Sequence, residues 1–102
     1  MLGHSARMEL PEDISAKIHR DFAATDAATV VQRLFAVSRD EPDLFGERIL
    51  RCIVLASHGR LSGVEHYIAM ARTDYRDLIV TAEYDRDWKQ VRDLNRPFEN
   101  VA

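Results

Sequence analysis

The densest set of chemically capable side chains lies between Asp74 and Tyr84. Asp74, Arg76, Asp77 and Glu83 supply three carboxylates and one guanidinium, with Tyr75 and Tyr84 beside them. On a helix Arg76 and Glu83 fall about 20° apart and two turns along, so they share one flank. Arg76 there can pair with an acid of a neighbouring helix. Asp74, Asp77 and Thr81 occupy the other flank, and Val80 and Tyr84 sit on the back, away from the main apolar face. Local folding alone accounts for much of this: Asp74 caps a helix, Asp77 sits well near its positive end, and the tyrosines pack at an edge. A contact surface is the functional alternative, built on Arg76, Asp77, Val80, Glu83 and Tyr84, because Tyr and Arg are frequent interface anchors. A small enzyme or ligand binder using the Asp74–Glu83 polar cluster is a further alternative, and it requires those side chains to converge in one pocket.

Other candidate groups carry less. His58 and His66 lie near Glu65 and Asp74 in sequence, but no His-x-x-x-His or Cys-x-x-Cys spacing supports a metal site. His58 fits the negative end of a helix, and His19 and His66 fit polar faces. Cys52 edges an apolar arc and reads as a buried structural thiol; a catalytic one needs a base and an electropositive, partly open setting. Asp85-Arg86-Asp87 starts like a calcium loop, but Gln90 stands where the turn needs Gly, and Arg96 where the last acid belongs. Residues 51–67 have the outline of a DNA-reading helix-turn-helix, yet the second helix would present Glu65 and His66 rather than basic residues in its first turns. Phosphate-cradling Gly-rich loops and nucleophile elbows are missing from the sequence. No cofactor or metal is expected, and the balance leans away from an enzyme.

The 102 residues are enough for one domain with a single core. Apolar residues make up 46% and charged residues 30%, with a net charge of -3. That composition is globular, and its slight acidity makes nucleic-acid binding an unlikely role. No run approaches the ~20 apolar residues that span a bilayer, so no membrane association is expected. The N-terminus lacks the apolar region of a signal peptide, and a single cysteine agrees with a reducing compartment, so the cytoplasm is the expected location. Twelve Arg against two Lys suggest a GC-rich bacterial genome.

The elements follow from periodicity. Residues 1–9 read as a tail. Pro11, Glu12 and Asp13 open a helix over 11–23 whose narrow stripe, Ile14, Ile18 and Phe22, places it at the periphery. Thr25 or Asp26 caps a second helix over 26–38, with Ala27, Val30, Val31, Leu34 and Phe35 on one face. A third helix over 43–58 is apolar around about 200°, from Phe45 to Ala56, and belongs in the centre. Glu47, Arg51 and His58 form its polar strip, and Gly59 ends it. Ser62 and Glu65 form a capping box for a fourth helix over 63–72. Thr73 or Asp74 caps a fifth over 74–84, unless the two join with a kink at 72–74. Asp87–Gln90 offers another cap and one or two helical turns to Leu94, and Pro97 stops anything further. The domain thus spans 10–95, with 96–102 as a C-terminal tail.

Asp74-Tyr75-Arg76-Asp77-Leu78, followed by Ala82-Glu83-Tyr84, resembles a signature of small uncharacterised bacterial proteins. Glu47-Arg48-Ile49-Leu50 and Gly59-Arg60-Leu61 fit the same pattern. The resemblance covers residues 43–85. It implies a bacterial, cytoplasmic, helical protein and supplies no activity. Taken together, the expectation is an all-α compact bundle of four to five short helices. Its expected role is a non-enzymatic module that binds a protein partner or itself as a homodimer. Val80, Tyr84, Met70, Trp88 and Phe98 are apolar residues outside the core faces.

Overall fold

The computed structural model describes residues 9–99. Over the described residues the chain is an all-α bundle of four helices in the order α1 (Glu12–Asp21), α2 (Ala24–Asp40), α3 (Glu47–Ser57) and α4 (Leu61–Glu83). The expected tail over 1–9 lies almost wholly outside the described residues. No helix among the described residues is long and apolar enough to cross a membrane.

The helix α3 is the centre, as its apolar arc requires, and it packs most extensively on α4. Ile49, Leu50, Cys52, Ile53, Val54 and Ala56 are all buried. It starts at Glu47 rather than 43; residues 43–45 belong to a turn in which the N–H groups of Leu44 and Phe45 donate to the Glu41 carbonyl. Phe45 is buried from that turn, with the Arg72 guanidinium 5.7 Å above its ring. The stripe of α1 is narrow but not peripheral in its burial: Ile14 and Ile18 are fully buried.

Two caps read from the sequence are not used. The helix α2 begins at Ala24, behind an Ala23 N-cap without a side-chain bond. The helix α4 begins at Leu61, and Glu65 reaches Arg33 of α2 instead of closing a capping box on Ser62. The α3–α4 turn carries two residues in the left-handed region, His58 (φ 51°) and Gly59 (φ 77°). Gly59 is required there twice over, because a Cβ would also run into the Asp21 carbonyl of α1.

The fourth and fifth expected helices join across a kink at Asp74, whose backbone is extended (φ -162°, ψ 101°). Its Oδ1 accepts the Arg76 N–H at 3.0 Å, the N-cap bond expected of it. Asp74 therefore breaks the helix and restarts it.

After α4 the chain does not form the expected turns over 87–94. It reverses at residues 85–89 and returns over the bundle as a strap. The Asp85 carboxylate accepts the N–H groups of Asp87 and Lys89, Trp88 N–H donates to the Asp85 carbonyl, and Tyr84 bridges to Gln90. The strap is part of the core: Leu94 is buried and Phe98, set in the expected tail, packs half-buried against α1.

Candidate functional site

Two arginines of α3, Arg48 and Arg51, organise the polar interior. They stand one turn apart on the most apolar helix, and each grips a carboxylate from another element. Arg48 donates from Nε and Nη2 to the two oxygens of Glu83, at 2.8 Å each. Gln90 Nε2 donates to the same carboxylate at 2.8 Å, and the Leu94 N–H also bonds to it. The Glu83 side chain is 0% exposed, against 34% for Arg48. Burial pushes the Glu83 carboxyl up, but the hydrogen bonds from Arg48 and Gln90 outweigh it and hold it below the usual range. A bidentate pair on a satisfied carboxylate is the geometry that makes a buried charge tolerable.

Arg51 makes the second clamp. It donates to both oxygens of Asp13 on α1, to Glu47 one turn back and to the Leu94 carbonyl of the strap. Asp13 also accepts the Phe98 N–H at 3.0 Å. Burial raises the Asp13 carboxyl, yet the Arg51 and Phe98 bonds bring it below its ordinary value. Of the expected polar strip of α3, Glu47 and His58 do face water, but Arg51 is 2% exposed because α1 and the strap close over it.

The five residues expected to form a contact surface are split by this arrangement. Glu83 points inward and cannot line a surface. Arg76 and Asp77 are exposed, and Val80 and Tyr84 are half-buried. Arg76 finds its acid in Asp74 of its own helix, at 3.1 Å, rather than in a neighbour. That bond holds the Asp74 carboxyl below its ordinary value. The Asp74–Glu83 residues consequently do not converge in one pocket as a ligand site on them requires.

Cys52 lies beside the Glu83 clamp, its Sγ 3.9 Å from Oε2. Burial, then the Glu83 charge, pushes its thiol up to about 12, so it stays protonated and is no nucleophile at neutral pH. His66 stands edge-on to Tyr67, with ring centroids 4.7 Å apart. Among the described residues, no three His, Cys, Asp or Glu side chains group to hold a metal ion.

The most exposed large apolar side chain among the described residues lies where sequence periodicity does not reach. Trp88 is 76% exposed at the tip of the 85–89 turn, with φ 63°. Asp85 fixes that turn through two backbone bonds, so the indole is presented from a defined loop. The sequence signals for the sites it did not reveal were slight: Arg48 and Arg51 at a three-residue spacing in an apolar helix, and an unpaired Trp after the last long helix. Comparison with protein-family models, with curated proteins and with solved structures found no match for this chain.

Proposed function

We propose that this chain is a non-enzymatic protein-interaction module whose contact surface joins the outer side of the second half of α4 to the turn that presents Trp88. The observation that carries this reading is the exposure of Trp88 on a hydrogen-bonded turn. Tryptophan is the residue most enriched at binding hot spots, and leaving it in water has no folding benefit. Three of the four large apolar side chains exposed among the described residues lie in this part of the chain, Tyr75 on the second half of α4 and Trp88 and Val91 on the turn and strap that follow it. Arg76, Asp77, Val80 and Tyr84 supply the polar and half-buried surroundings. Glu83 has a structural part in this reading, as the anchor of the strap.

The partner is another protein or a second copy of the chain. A bacterial source and a cytoplasmic location belong to the same proposal, on the compositional grounds given above. Nucleic acid is disfavoured because six arginines, at 33, 39, 48, 51, 72 and 76, are matched by carboxylates. Quantitative affinity capture from the source cell, with light scattering on the purified protein, tests the reading. Wild type retains a specific protein or rises in mass with concentration, and Trp88→Ala weakens that binding by about 2 kcal/mol, roughly thirtyfold. A monomer at every concentration that captures nothing contradicts it, as does capture indifferent to Trp88.

A further inference from the structure

A second surface feature lies on the inner edge of the same α4 segment. Tyr75 and Ile79 of α4 face the 43–46 turn and the first turn of α3 across a groove of about 470 Å³. That volume falls within the range of small-ligand pockets. Leu44, Ile49 and Ile79 form apolar walls, and the Tyr75 ring, 48% exposed, stands at the rim. Beside Gly46 nothing lies within 4 Å of where a side chain would start, so the entrance is open.

The charge of the groove is decided by how its ionic groups are matched. Arg48 reaches it, but its charge is balanced by Glu83 through two bonds. Asp43, on the rim, forms no ion pair among the described residues. The groove therefore carries the Asp43 charge and the Tyr75 ring alongside its aliphatic walls. An aromatic face attracts a cation, and a carboxylate at its side adds direct Coulomb attraction. Aliphatic walls suit the methylene stem that a lysine or arginine carries behind its charge.

We infer that this groove receives a lysine or arginine side chain of the partner protein, with the cation between Tyr75 and Asp43 and its stem against Leu44 and Ile79. The inference rests on the protein-interaction reading and adds the chemistry of the partner to it.

The test titrates the isotopically labelled full chain with N-acetyl-arginine amide and N-acetyl-lysine amide, followed by NMR. N-acetyl-norleucine amide is the uncharged counterpart and N-acetyl-glutamate amide the acidic one. Saturable shifts are expected at the amides of Gly46, Tyr75 and Ile79 with both basic probes. Tyr75→Ala and Asp43→Asn each weaken them about two- to fivefold, and added salt weakens them further. Both positions are exposed, so the variants keep the dispersed spectrum of the folded chain. No saturable shift, an equal response to the norleucine probe, or a stronger one to the glutamate probe overturns the groove assignment. Partner capture that depends on Trp88 but not on Tyr75 or Asp43 leaves the interaction reading standing while removing the groove from it.

Discussion

Replacing Arg48 by alanine probes the buried clamp at its strongest point. The substitution deletes two 2.8 Å charge-assisted bonds and leaves the Glu83 carboxylate, fully buried, without its counter-charge. Breaking a buried ion pair from one side costs about 3–5 kcal/mol. Two features place the effect at the lower end. Gln90 and the Leu94 N–H still serve the carboxylate, and the 34% exposure of Arg48 lets water enter its place. The expected loss is then about 3 kcal/mol, a large share of the roughly 5–15 kcal/mol that holds a domain of this size. In thermal unfolding this corresponds to a midpoint about 12–24 °C lower. Urea unfolding followed by circular dichroism at 222 nm measures it, and Arg48→Lys, which keeps the charge but not the fork, falls in between. A loss below about 1 kcal/mol for Arg48→Ala is the size of a surface pair and refutes the reasoning.

The other outcomes are as direct. Asp13 and Glu83 both lie below their unfolded values, which are about 3.9 and 4.3. Their contribution is therefore fully present above those values and is lost as the pH falls through the lower, folded-state ones. Denaturant midpoints should stay level from neutral pH to about 5 and drop below about 4, whereas a drop beginning above pH 6 contradicts the assignment. Cys52, buried with its thiol raised to about 12, should react with a thiol reagent only as fast as the chain unfolds, and prompt labelling of the native protein disproves this. Asp74→Ala removes the cap of the second half of α4 and should lower the urea midpoint, with Asn restoring most of it; equal losses for Ala and Asn contradict the cap.

The bundle was legible because its signals are local and periodic. The apolar arc of α3 identified the central helix, and residue types narrowed the break in α4 to a cap at Thr73 or Asp74 or a kink at 72–74. The errors share one physical cause. Arg51, Glu83 and Phe98 owe their environments to residues far away in the chain, and a helical wheel contains no term for a strap that folds back over it. Glu83 looked like a flank residue because the wheel treats residues beyond α4 as solvent. Ser62 and Glu65 satisfied a capping pattern, but the longer-range bond to Arg33 won. Trp88 was noticed as apolar and outside the core faces, yet its exposure depends on the Asp85 turn, where the pattern of Asp87 and Gln90 pointed to helix.

Trp88 is the only tryptophan in the chain, so its fluorescence reports on the surface at issue without labelling. Acrylamide quenching and the emission maximum should be measured on dilute protein alone and again in the complex it forms. The expected result is an indole almost as accessible as in denatured chain when free, then shielded and blue-shifted when bound. An indole already shielded in the dilute monomer, or unchanged in the complex, would show that Trp88 is not where contact is made.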